Sequence, residues 1–201
     1  MALGPVAKVS HSTSSLIKHL ASHSRIAERT LEFLRIYELN MDQSFMKVVC
    51  GYLPWVCEDL TVKLSAKSID DVNEERFKVY IGGHFPSGSS TKCHYHYGQL
   101  IVSDTFSEYS YGSRKNMEVY GQTKPPEIDL KPVPGVPIAM FVGEEDDLAD
   151  VTDARWLRNQ TDSEVVHYEE MPKMGHISFL IAKDMTYFSD RVISLLNKYS
   201  N

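Results

Sequence analysis

Apolar residues recur at helical spacing through the first half of the chain. Between Thr13 and about Leu39 they fall as Leu16, Ile17 and Leu20 and then as Ala27, Leu31 and Leu34, two stripes of a set of short amphipathic helices. Phe45, Val48, Val49 and Tyr52 form a further stripe that Pro54 stops, because a proline has no N–H to continue the ladder. A helix is predicted from Asn73 to Gly82. A longer one spans Ser89 to Asp104 and opens on small hydroxyl residues suited to capping. Ahead of these, Ala2-Leu3-Gly4-Pro5-Val6-Ala7 reads as a short strand running into a proline turn, and a strand needs neighbours.

The texture then changes twice. From Thr105 to Pro137 the chain is aromatic and turn-rich, with Phe106, Tyr109, Tyr111, Tyr120 and Lys124-Pro125-Pro126, and predicts extended segments and loops rather than helix. Val136 to Val142 is a nearly continuous apolar run closed by Gly143, the pattern of a parallel strand covered on both faces. A helix follows from Val151 to Gln160, with Asp150 and Asp153 at capping-box spacing, then a strand from Glu164 to Tyr168. The last helix carries Phe188, Val192, Leu195, Leu196 and Tyr199 on one stripe. Strand, helix, strand, helix makes a βαβα unit, so the fold class is α/β.

Composition narrows the functions available. The 201 residues give room for one ordinary domain and part of another, and 42% hydrophobic with 24% charged residues is globular composition. Acidic residues outnumber basic ones, 27 to 21, and the net charge of -6 argues against nucleic acid as a partner. No run reaches the roughly 18 apolar residues of a transmembrane segment. Met1 to Ala7 lacks the basic start and apolar region of a signal peptide, so a chain complete as written is expected to bypass conventional secretion. Of three cysteines, Cys50 and Cys57 are the simplest bridge, with Cys93 left over. That leaves the redox compartment undecided.

Chemistry collects at the ends of the two C-terminal strands. Gly143-Glu144-Glu145-Asp146-Asp147 follows the first, and Met171-Pro172-Lys173-Met174-Gly175-His176 follows the second, both at the edge of a parallel sheet where ligands bind. An acid after one strand and a histidine after the next is the order of the last two members of an α/β-hydrolase triad. There the acid fixes the imidazole tautomer and stabilises its cation, while the other ring nitrogen takes a proton from a serine.

Pro134-Gly135-Val136-Pro137-Ile138-Ala139, Gly143 to Asp150 and Gly175-His176-Ile177-Ser178-Phe179 resemble the closing motifs of the acid lipase family, the group that contains the gastric and lysosomal acid lipases. Pro86-Ser87-Gly88-Ser89-Ser90-Thr91-Lys92, His96-Tyr97-Gly98-Gln99, Phe106, Tyr109 to Gly112, Asn116, Tyr120-Gly121-Gln122 and Pro125-Pro126 extend that resemblance upstream, and Ala2 to Ala7 resembles the strand after the nucleophile. The resemblance implies the C-terminal part of an α/β-hydrolase. Residues 1–8 form a core strand, 9–132 a helical then loop-rich cap, and 133–201 the last βαβα of the core. It assigns Asp146 as triad acid and His176 as base, with Asp147, which stands where the family has Leu, as a rival acid. No Gly-x-Ser-x-Gly occurs in the sequence, so the serine is expected upstream and the chain alone is expected to be inactive. The implied activity is a lipase or carboxylic ester hydrolase acting on neutral lipid esters, triacylglycerol or sterol ester, at a lipid–water interface. No cofactor and no metal is implied, and the placement is secreted or lysosomal. The alternative is a truncated, non-catalytic remnant that binds lipid or a partner protein.

Three further features carry plainer readings. His94 and His96 stand two apart on a helix and point to different sides, which suits a surface or packing role better than a metal pair. The acidic stretch from Glu144 to Asp153 lacks the ladder of a calcium loop. Asn159-Gln160-Thr161 is a glycosylation sequon, usable only in the secretory pathway.

Overall fold

A computed structural model describes residues 1–14, 18, 21, 24–39, 43–53, 55–57, 59, 72–84, 88–130, 135–161 and 164–200. Leu16, Ile17, Leu20, Pro54, Pro86, Ser87 and Pro134, used above, lie outside the described residues, as does the side chain of Ala27.

Three parallel strands form the sheet, in the order β1 (Ala2–Leu3), β4 (Ile138–Gly143), β5 (Val165–Met171). Ala2 and Leu3 pair with Met140 and Phe141, and β4 pairs with β5 from Ile138 opposite Val165 to Gly143 opposite Met171, with one irregularity after Ile138. The central strand is buried from Ala139 onward, as expected of an apolar run flanked on both edges and covered on both faces. Between β4 and β5 runs α6 (Val151–Gln160), whose N-terminus is capped by the Asp150 carboxylate accepting from Thr152 N. Asp153 takes no part in a capping box, since its carboxylate is held by His11. Phe141, Met171, Met174, Phe179, Tyr187 and Val192 lie in the main core, with Leu3 packed against it.

The front of the chain is helical: α1 (Ser24–Phe33), α2 (Gln43–Tyr52), α3 (Glu74–His84) and α4 (Thr91–Ser103), with β2 (Glu38–Leu39) pairing antiparallel with β3 (Ser89–Ser90). Helix α1 ends at Phe33, whereas the helical spacing of apolar residues runs on to about Leu39. Arg35 adopts φ 57°, Ile36 N bonds Leu31 O and Arg35 N bonds Glu32 O. This is a Schellman closure with arginine where glycine is usual. The prediction for α4 holds closely: Ser90 caps it by accepting from Lys92 N, and Asp104 ends it in the left-handed region.

Two predictions fail downstream. The stretch from Thr105 to Pro137 contains a helix, α5 (Ser113–Tyr120), bracketed by Gly112 at φ 87° and Gly121 at φ 71°, with Gly121 N bonded to Met117 O. Its buried Asn116 gathers the surrounding loop, accepting from Tyr111 N and donating to Ser110 Oγ and Thr123 O. After α7 (Ser178–Ile181), the final helix is not one stripe. A π-helical turn, Tyr187–Val192, precedes α8 (Ile193–Tyr199). The wide turn buries Tyr187 and Val192, five residues apart, and leaves Phe188 40% exposed.

A second core joins the helical front to the sheet region. Cys57, Val72, Phe77, Ile177 and Ile181 pack together, with Val49 and Cys50 against them, and Cys50 is disulfide-bonded to Cys57 while Cys93 is free and exposed. Hydrogen bonds reinforce the contact: Asn73 N to Ile181 O and Arg76 Nη1 to Ala182 O. His176 therefore sits in a turn anchored on one side by Met174 in the main core and on the other by Ile177 in the second.

Candidate active site

The edge of the sheet is assembled by two strand-end loops that fold onto each other. Glu144 N bonds Met171 O and Glu145 N bonds Met174 O, so the two loops share a short main-chain ladder. This needs a residue without a Cβ at Gly143, where a methyl group would lie 2.3 Å from Met174 O. Gly4, at the end of β1, approaches from the other side with φ 57°. Its N donates to Phe141 O, and a Cβ there would lie 3.2 Å from Asp146 Oδ2.

These constraints bring Asp146 and His176 together, with Nδ1 to Oδ2 at 2.9 Å. The Asp146 side chain is wholly buried, whereas that of His176 is 43% exposed. Asp146 Oδ1 accepts from Leu148 N at 2.9 Å and Ala149 N at 2.7 Å, so every polar contact to this carboxylate makes it an acceptor and places the proton on Nδ1. Nε2 is then the acceptor nitrogen of the neutral ring. The hydrogen bond to Asp146 raises the His176 pKa above its ordinary value, the charge of Asp146 adds to it, and partial burial works against both.

Asp147, adjacent in sequence, faces the other way. Its Oδ1 accepts from Thr13 Oγ1 at 2.7 Å, and its main-chain O accepts from Ser12 Oγ at 2.7 Å, Thr13 N at 3.0 Å and Ser14 N at 3.4 Å. Tyr97, on α4, donates its hydroxyl to Leu148 O at 3.1 Å, and burial followed by the nearby charges of Asp146 and Asp153 pushes its pKa up to about 12. One helical turn on, Asp153 forms a second histidine pair, with His11 Nδ1 at 2.8 Å and His11 N at 2.9 Å.

Gly4 lies against the pair, and Ser12 and Tyr97 hold the carbonyls of the loop that carries Asp146; in the sequence Tyr97 stands only within a family motif and Asp153 only at a capping position, and Ser12 carries no signal. The Gly4-Pro5 turn and the strand-closing Gly143 left a local signal. His94 and His96 are not brought together: His94 is exposed, and His96 Nε2 bonds Ser107 O at 2.8 Å. Among the described residues no group of three His, Cys, Asp or Glu side chains could hold a metal ion, and no helix is long and apolar enough to cross a membrane. Asn159 is exposed in the last turn of α6, and the Thr161 hydroxyl of the same sequon donates to Leu157 O.

Comparison with known proteins gives a consistent set of relatives. The chain is 31% identical to the lysosomal acid lipase/cholesteryl ester hydrolase of Homo sapiens over 98% of its own length and 50% of that protein. It is 31% identical to the gastric triacylglycerol lipase of Mus musculus over 91% of the chain and 47% of the relative. With triacylglycerol lipase 2 of Arabidopsis thaliana the identity is 29%, over 92% of the chain and 46% of the relative. The chain thus spans about half the length of the curated relatives it matches. No family model matches it.

Proposed function

Since the chain belongs to the acid lipase family, we propose that it is the C-terminal part of an α/β-hydrolase lipase and contributes two members of a Ser-Asp-His triad, Asp146 as the acid and His176 as the base. The observation that carries this reading is the 2.9 Å bond from His176 Nδ1 to a fully buried carboxylate at the C-terminal edge of parallel strands, on a histidine side chain that is itself 43% exposed. The serine would come from a Gly-x-Ser-x-Gly segment in the half of the relatives that this chain does not span. His176 Nε2 would take the serine proton as Oγ adds to the ester carbonyl, and pass it to the departing alcohol. It would then activate the water that releases the fatty acid, while Asp146 stabilises the imidazolium each time.

The substrates proposed are neutral lipid esters, triacylglycerol or sterol ester. Residues 1–8 and 133–201 would belong to the hydrolase core and 9–132 to a cap over the acyl site. The exposed Phe33, Tyr37, Tyr52 and Trp55 of that cap are suited to a lipid–water interface. The disulfide accords with a secretory or lysosomal protein.

The test compares the 201-residue chain with the same chain joined to a nucleophile-bearing half. The joined protein should hydrolyse an emulsified triacylglycerol and lose that activity in His176→Ala, while the chain alone stays at the level of that variant. Turnover by the chain alone, lost on His176→Ala, would place the nucleophile within these residues and overturn the division of labour.

A further inference from the structure

Two peptide groups hold Asp146. The N–H of the peptide between Asp147 and Leu148 and that of the peptide between Leu148 and Ala149 both donate to Asp146 Oδ1. The carbonyl ends of these same two peptides are held by the helical front of the chain. Ser12 Oγ, Thr13 N and Ser14 N take the first, and Tyr97 OH takes the second.

We infer that Tyr97 and Ser12 are positioning residues, which couple the seating of the helical region to the orientation of Asp146 and, through it, of the His176 ring. The inference rests on the lipase reading only for its catalytic consequence, because the geometry stands without it. A peptide whose oxygen accepts a hydrogen bond is polarised and donates more strongly through its N–H. It is also fixed in plane, so both grips on Oδ1 are set from outside the loop. Local sequence cannot supply this. The Tyr97 contact spans 51 residues and the Ser12 contact 135. Tyr97 is suited to the task because its raised pKa, about 12, keeps the hydroxyl protonated and donating across the pH range of the protein. Ser12 is fully buried and adjoins Tyr97, whose pKa its hydroxyl lowers against the larger effect of burial, so the two grips lie side by side.

The two grips differ in redundancy. Two main-chain donors share Asp147 O with Ser12, whereas Tyr97 is the one side chain recorded on Leu148 O among the described residues. Tyr97→Phe should therefore act more strongly than Ser12→Ala.

The experiment reads the His176 ring by NMR in the 201-residue chain labelled with ¹⁵N at histidine. In the unaltered chain, Nδ1–H should give a downfield proton and the ring should titrate above the ordinary histidine value of about 6.5. Tyr97→Phe should move that proton upfield and bring the midpoint down toward the ordinary value, with Ser12→Ala giving a smaller shift in the same direction. Tyr120→Phe removes a like hydroxyl-to-carbonyl bond, to Tyr109 O, and should leave both readings unchanged. In the joined lipase, Tyr97→Phe should lower kcat by about threefold to tenfold with KM unchanged, the loss expected of one neutral hydrogen bond. If Tyr97→Phe does not fold, Ser12→Ala carries the test with the same readings. An unmoved His176 proton and midpoint in a folded Tyr97→Phe, or in Ser12→Ala where that variant stands alone, overturns the inference, as does an equal shift in Tyr120→Phe. A shifted ring in a joined protein that hydrolyses no ester keeps the positioning role and sinks the lipase reading.

Discussion

The edge that carries Asp146 and the start of α6 that carries Asp153 each pair a buried carboxylate with Nδ1 of an exposed histidine, at 2.9 and 2.8 Å, yet the remaining bonds differ. Asp153 gives one oxygen to the His11 ring and the other to the His11 main-chain N–H, so the pair fastens residue 11 to the helix. Asp146 gives one oxygen to its own loop and the other to His176, a residue from a different strand end. Ser10 Oγ stands near His11 at 3.3 Å, but at Nδ1, the nitrogen already facing Asp153, so no relay through opposite ring nitrogens exists there. A carboxylate beside an imidazole is thus not a site in itself. What separates the two is whether the acid's other bonds hold the histidine's own backbone or leave the ring as the only link.

The comparison is most sharply tested by matched substitutions in the joined lipase. Asp146→Asn should lower the hydrolysis rate by on the order of 10⁴, the loss seen when a triad acid leaves its histidine in the wrong tautomer. Asp153→Asn and Asp147→Asn should change the rate by far less. Equal losses at Asp146 and Asp153 would erase the distinction drawn above. Next in size, Gly143→Ala should lower the unfolding free energy by about 1–3 kcal/mol or more, since its methyl would press on Met174 O. A melting temperature equal to that of the unaltered chain would mean that the two loops separate at little cost.

Asp153→Ala should cost about 1–3 kcal/mol in the same melt, because it removes two bonds to a buried acid. The smallest effect is on pH dependence. Folding raises the His176 pKa, so the stabilisation from its pairing is present in full below the unfolded value, about 6.5, and is lost as pH rises through the folded value. The melting-temperature gap between the unaltered chain and Asp146→Asn should therefore narrow from about pH 5 to about pH 8. A gap that widens over that interval would contradict the raised pKa.

Sequence carried the C-terminal unit well because its patterns admit few alternatives. The apolar run Ile138 to Val142 closed by glycine, and α6 opened by Asp150, are local signals; the strand-end rule then points to the acidic loop Glu144 to Asp147 and to His176, and the resemblance to acid lipases picks Asp146 within that loop. The Cys50–Cys57 bridge was legible from spacing. What failed did so for identifiable reasons. Helix α1 closes at Phe33 through the left-handed Arg35 just beyond it, an end that no glycine announces. Helix α5 is short and polar, and its aromatic, turn-rich flanks predict extended segments and loops, although Gly112 and Gly121 mark its ends. The π turn slips the final helix by one residue, which a stripe of regular period cannot register. The contacts of Tyr97, a residue of the His96-Tyr97-Gly98-Gln99 motif, and of Ser12 carry no local signal, because their partners are distant in sequence and the hydroxyls alone name no partner.

The disulfide has a consequence in kinetics. Cys57 is 2% exposed, inside the cluster behind Ile177, so a soluble thiol can reach the bridge only from the Cys50 side. Attack at Cys50 would expel a Cys57 thiolate into apolar surroundings, and burial raises the proton affinity of a thiol and makes it a slow leaving group. Reduction is therefore slowed while the cluster around Val72 and Phe77 stays packed. The bridge would thus outlast a brief exposure to thiols, its loss slowed by the burial of the sulfur that must leave.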